Sequence, residues 1–171
     1  YPNGLKQLEG DEYATKAGVE FYPSGMINRR GGILDNYMSW GGAVYEELQR
    51  ESHLNLMVES ELVSDSLLSV KVDLLALASL SGKLQLWLIE DSIVAMQKMP
   101  TGKYNFEYVH NHVFRDAING TWGEDVALEL GEEKSFTTTE YILNSDWEME
   151  NLSVVAFVYN EDGVQQAGQC K

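Results

Sequence analysis

The chain has 171 residues, 44% hydrophobic and 23% charged, the make-up of one ordinary globular domain or of one domain with part of another. Its net charge is −15 and its pI about 4.4. Only 12 residues are Lys or Arg, scattered along the chain, which excludes a basic footprint for nucleic acid and disfavours attraction to an anionic membrane surface. The single cysteine, Cys170, cannot staple the fold and leaves no Cys-x-x-Cys for redox or zinc chemistry. The charge-free stretch over residues 74–82 is far too short to span a bilayer. The chain opens at Tyr1 without a signal-like segment, as expected of a mature or trimmed piece of a longer protein.

In chain order, residues 9–17 read as a short helix stopped by Gly18. Residues 19–29 read as a strand interrupted at Tyr22-Pro23, and Gly31-Gly32 as a turn. Trp40, Val44 and Leu48 recur at helical spacing, with Glu46, Glu47 and Arg50 opposite, which predicts an amphipathic helix with one buried stripe. After Glu51 the period changes to two. Residues 54–62, 68–74, 84–89, 104–114, 134–143, 152–159 and 164–169 read as seven strands. Turn signals fall at Ser81-Gly82, Pro100-Thr101-Gly102, Asn119-Gly120 and Asp162-Gly163. The pattern predicts an antiparallel two-layer β-sandwich, jelly-roll or Ig-like, over residues 52–171. Its inward side chains are expected to include Leu56, Val70, Val72, Leu86, Val154 and Ala156.

The residues offer four readings of chemistry. His110 and His112, at i and i+2 of one predicted strand, would point the same way and with Asp116 could make a cupin-like metal site. No third histidine follows, so a half-exposed strand face is the plainer reading, and no cofactor is expected. No Gly-x-Ser-x-Gly elbow, Ser-x-x-Lys or phosphate-binding loop is present, which argues against an enzyme. Acid pairs suited to glycoside hydrolysis are recognised by geometry, which 27 acidic residues alone do not reveal. Trp122, Trp147 and Tyr141 are candidate ligand-binding rings, set against the reading that they cap the ends of the sandwich.

Ala17-Gly18-Val19 followed by Tyr22-Pro23-Ser24-Gly25-Met26-Ile27-Asn28-Arg29 resembles the thioredoxin-like strand that begins at a cis-proline. Tyr108-Val109-His110-Asn111-His112-Val113-Phe114-Arg115, Asn119-Gly120-Thr121-Trp122-Gly123 and Leu152-Ser153-Val154-Val155-Ala156-Phe157-Val158-Tyr159-Asn160 are similar to the Omp-twenty-eight-related outer-membrane proteins of Gram-negative anaerobes. The resemblance covers most of the chain from about Ala17 onward. It implies a non-enzymatic outer-membrane lipoprotein, a surface antigen and adhesin-like or ligand-binding module, on the cell surface or the periplasmic face. It implies that residues 1–51 are the C-terminal remnant of a thioredoxin-like α/β domain, with Pro23 its structural cis-proline. Membrane attachment would then pass only through a lipid anchor upstream of this chain. The expected partners are a protein or glycan ligand, or a second copy of the chain in a homodimer. The alternative function is a periplasm-facing redox accessory whose active half lies upstream. For the N-terminal fragment itself, docking on the same chain or pairing with a second copy is favoured over disorder, because Phe21, Tyr22, Met26 and Ile27 give it apolar area to bury.

Overall fold

The structure, a computed structural model, describes residues 5–171. Helix α1, Leu8–Ala17, ends at Gly18, which takes φ 73° and turns its N–H back to Thr15 O; only a residue without Cβ adopts that left-handed cap freely. Strands β1 (Gly25–Ile27) and β2 (Arg30–Leu34) form a two-stranded hairpin, followed by helix α2 (Trp40–Glu47). The Tyr22–Pro23 bond is cis, as the resemblance implied.

Two local expectations are corrected here. The reversal falls on Asn28-Arg29, at φ 49° and 54°, whereas Gly31 and Gly32 lie inside β2. A two-residue hairpin loop of type I′ needs positive φ at both central positions, and asparagine adopts it more readily than most residues. The helical stripe is also less buried than its spacing predicts: Val44 is 41% and Leu48 75% exposed. Only Trp40 is anchored, with Nε1 donating to Leu34 O at 3.1 Å and its ring against the bare Cα of Gly25. No thioredoxin-like α/β unit is shown, because among the described residues β1 and β2 pair only with each other.

Ten antiparallel strands follow. These are β3 (Leu54–Ser64), β4 (Leu67–Ala76), β5 (Leu80–Glu90), β6 (Ile93–Lys98), β7 (Tyr104–His110), β8 (Val113–Ala117), β9 (Glu124–Leu128), β10 (Glu133–Ile142), β11 (Leu152–Asn160) and β12 (Gly163–Cys170). One sheet runs β10-β4-β3; a second runs β12-β11-β5-β8, with β9 also on β5. Both feed one apolar cluster, with Val70, Val72 and Leu74 from the first and Leu84, Leu86, Leu88, Val154, Ala156 and Val158 from the second. The protein is therefore mainly β and antiparallel, with two larger sheets sharing a core. The period-two expectation holds for all six inward residues named above, Leu56 being packed against the cluster at its margin. No described helix is long and apolar enough to cross a membrane.

Ser81-Gly82 lies within β5 and makes no turn. Glycine is required there because Tyr159 O sits where a Cβ would be. The next irregularity explains the Asn-Gly-Thr-Trp-Gly stretch. Along one edge β5 changes partner, from β9 opposite residues 80–84 to β8 opposite residues 87–90. In the gap the Asn119 side chain takes the place of a strand. Its Oδ1 accepts from Leu86 N and its Nδ2 donates to Leu84 O, each at 2.9 Å. Gly123, at φ 68°, lets the chain pass against Leu84 O. Buried backbone groups left unpaired cost about 1–3 kcal/mol each. Asn119→Ala, which orphans two of them, should lower the unfolding free energy by at least about 2 kcal/mol in denaturant titration; a midpoint unchanged from the parent protein would contradict this role.

Candidate functional site

The sequence-selected residues do not converge. The predicted strand over 104–114 is two strands, broken at Asn111-His112, where His112 takes φ 54°. The break arises because β7 pairs with β6 while β8 crosses to β5. Across it the i, i+2 rule no longer applies, so the shared face expected of the histidines is corrected. His110 meets Tyr108 edge-on with ring centroids 4.8 Å apart, and its Nε2 is buried without a hydrogen-bond partner among the described residues. His112 instead faces Asp91, whose Oδ1 accepts its backbone N–H at 2.6 Å and lies 3.6 Å from Nδ1. Asp116, on β8, accepts the Tyr141 hydroxyl proton. Among the described residues no three His, Cys, Asp or Glu side chains gather as a metal would need.

The three candidate rings are divided as well. Tyr141 and Trp147 pack against the core cluster. Burial first, and then Asp116, push the Tyr141 hydroxyl well above the usual tyrosine range. Trp147 lies in a loop held to the sheet by the Glu148 N–H, which donates to Glu90 Oε1 at 3.1 Å. Glu90 is itself paired with Arg115 at 2.6 Å, both side chains nearly inaccessible; buried pairs of this kind are costly to break. Trp122 meets Tyr13 edge-on at 5.4 Å. Pro23 precedes β1 and faces no thiol, the chain's one cysteine lying on β12 against Ser60.

What sequence reasoning missed is the junction that seats the N-terminal segment. Tyr13 packs on Trp87 (5.1 Å) and Phe114 (5.6 Å), side chains of the second sheet. The Trp87 indole N–H donates to the Tyr13 hydroxyl at 3.0 Å, which donates in turn to Thr121 O at 2.6 Å. The Arg29 guanidinium lies 4.2 Å from the Tyr159 ring centre and 4.9 Å from that of Phe157. Such contacts are individually worth about 0.5–2 kcal/mol. Val164 N donates to Asn28 O at 2.8 Å and Arg30 Nη2 to Val164 O at 2.9 Å, tying the β1–β2 turn to β12. The segment thus docks on its own chain. Beside the turn opens a cleft of about 740 Å³. Within it Glu47 accepts from Asn28 and pairs with Arg30 and Arg50, each at 3.0 Å.

The feature that the fold leaves unused is the β6–β7 hairpin. Among the described residues it pairs with no other strand, and Tyr104 (54% exposed), Phe106 (70%) and Tyr108 (37%) stand out from β7, whose pairing with β6 shifts register between Ala95 and Gln97. Val94, Met96 and Val109 are exposed on it too. Its charged side chains are Lys98, Lys103 and Glu107, so it is a locally basic arm on an acidic protein. The alternation of aromatics was legible in the sequence, but it reads identically for a core strand and for a free one.

The geometry defines a class: an antiparallel β protein with a helical N-terminal segment docked on one sheet and an uncovered aromatic hairpin. Within that class the chain belongs to the outer membrane protein Omp28 family, whose model matches residues 10–171, and it is accordingly an outer-membrane protein. A domain of the outer membrane lipoprotein Omp28 from Porphyromonas gingivalis is similar at 25% identity over 71% of this chain and 89% of that one, with a TM-score of 0.48. HBP35 of Porphyromonas gingivalis shares the fold at 13% identity and a TM-score of 0.71. That match covers 95% of this chain, which spans 56% of HBP35. A β-glucosidase from Kluyveromyces marxianus aligns at 17% identity over 75% of this chain and 16% of its own, with a TM-score of 0.34. No curated protein matches.

The ionic group in the cleft gives a pH dependence. Burial works to raise the Glu47 carboxyl, but Asn28, Arg30 and Arg50 together outweigh it and hold the group below the usual carboxylate range. A depressed folded-state value means that the stabilisation is complete above the ordinary carboxylate value and is lost as pH falls through the folded one. Glu47→Gln should therefore unfold at a lower temperature near neutral pH and fall less steeply on acidification. Parallel curves for the two proteins would contradict this linkage.

Proposed function

We propose that this outer-membrane protein is a non-enzymatic surface module that binds a protein or glycan ligand through the β6–β7 hairpin. The supporting observation is the exposure of Tyr104, Phe106 and Tyr108 on a hairpin that pairs with no other described strand. Clustered exposed apolar side chains mark interaction sites, and aromatics carry much of the contact energy where they are found. The adhesin and antigen reading fits such an arm. The acidic body would keep the rest of the surface solvated.

In the same reading residues 52–171 are a two-layer sandwich, supported by the cluster the two larger sheets share. Residues 1–51 are the rear part of a thioredoxin-like domain, supported by the order helix, antiparallel hairpin, helix. A lipid anchor outside this chain would supply membrane attachment. The redox alternative gains no supporting group, since Cys170 lies on β12 against Ser60.

The test is binding of the purified protein to a glycan array and to immobilised cell-surface proteins. Changing Tyr104 and Phe106 to Ser together should weaken whatever binding is found by roughly tenfold or more, as hot-spot aromatics do, with unchanged circular dichroism. Full binding by that variant would remove the hairpin from the function.

A further inference from the structure

On elements other than the hairpin, and beyond the function assigned to it, we propose that one end of the two-sheet body is a binding site for the aliphatic tail of a medium-chain fatty acid, held between the layers beside Ser60.

The inward positions of β3 run Leu54, Leu56, Val58, Ser60 and Leu62, and the register with β4 is unbroken along them. The two-residue period therefore turns Ser60 toward the second sheet, in a row whose other members carry branched aliphatic chains. Serine is too small to fill that place. A cavity of about 250 Å³ opens there, walled by Leu62 and Leu68 from the first sheet and by Leu88, Leu152 and Val154 from the second. The Ser60 hydroxyl accepts the Cys170 thiol at 3.3 Å, which gives it a partner without closing the hole. Native interiors hold few voids larger than a water molecule, so an opening of this size at the margin of the core is more than a packing defect.

The walls select the ligand. Among the described lining residues none is aromatic, so a sugar ring or a planar ligand finds nothing to stack on. The polar residues are Ser60, Ser153 and, exposed at the mouth, Glu150 and Lys171. Glu150 and Lys171 carry opposite charges, so a head group gains little net attraction and stays in water. A flexible alkyl tail needs no directed hydrogen bonds and is driven in by the removal of its apolar area from water. Leu62 (51% exposed) and Met149 (40%) rim the mouth, so the tail meets apolar surface before it enters.

Size and source follow. An apolar cavity of about 150 Å³ takes a six-carbon ring, so this one holds a tail of roughly ten carbons. An outer-membrane protein works beside a supply of such tails. A free fatty acid is favoured over a tail still in a bilayer, because only the free acid leaves water on entering the cavity.

The experiment titrates the full chain, labelled at its methyl groups, with sodium decanoate below its micelle concentration, and follows the methyl NMR signals. Those of Leu68, Leu88 and Val154 should shift saturably, while those of Val94 and Val109 on the β6–β7 hairpin should not follow. From hexanoate to decanoate each added methylene should tighten binding roughly fourfold, and longer acids should gain little more. Ser60→Leu, which fills the cavity, should keep its circular dichroism and lose roughly tenfold or more in affinity. Where that variant does not fold, Leu62→Trp closes the mouth from its exposed rim, with the same expected loss. Changing Tyr104 and Phe106 to Ser should leave decanoate binding as it is, so the failure of one site is read apart from the failure of the other. No saturable shift at the cavity, shifts confined to the hairpin, or full binding by a folded, filled variant overturns the inference. Cavity shifts produced by phospholipid vesicles alone would assign the site to a bilayer and overturn it too.

Discussion

Leu84, Leu86 and Leu88 point from β5 into the cluster shared by two sheets, while Trp87, between them on the opposite face, packs against Tyr13 and lies beneath Arg29. One strand is thus paired along both edges and covered on both faces. That demand shapes its neighbours. Gly82 is bare so that β11 can come close, and Asn119 fills the place between β8 and β9 where no strand reaches. The N-terminal segment is held mainly because the outer face of β5 and β11 offers rings for Tyr13 and Arg29. The Asn-Gly-Thr-Trp-Gly stretch that carries the family resemblance is, on this view, a device for completing β5 and seating the segment.

Where one side of a strand is wet, alternation is legible, and the inward residues of β3, β4, β5 and β11 could be read directly from the sequence. Three kinds of feature were not. Strands β6 and β9 passed unrecognised, because residues 93–98 and 124–128 are short and their alternation is weak. Turn chemistry misled at Ser81-Gly82, where glycine serves a close approach, and at Gly31-Gly32, where the reversal belongs to Asn28-Arg29. The break at His112 was invisible, since an aromatic alternation runs through it unchanged while the chain changes partner. That single break dissolves the apparent histidine pair.

The candidate rings failed to converge for a related reason. Trp122, Tyr141 and Trp147 are separated by topology, which single-sequence reading does not supply. Two of them serve the core, and the third closes the junction with α1. The junction itself needed long-range information: Tyr13 and Trp87 are 74 positions apart and meet through one hydrogen bond and one ring contact.

The molecule divides into a body organised around β5 and an arm, β6–β7, that pairs with none of the other described strands. Local unfolding free energies differ between such parts, because an arm with few tertiary contacts opens without opening the core. Residue-resolved hydrogen exchange in dilute solution measures that division directly. The amides of β5, β11 and the Asn28–Val164 tie should exchange slowest and together, and those of β6 and β7 should exchange far sooner. Protection of the hairpin equal to that of β5 in the dilute protein would mean that the arm is covered by its own chain, and would contradict the account.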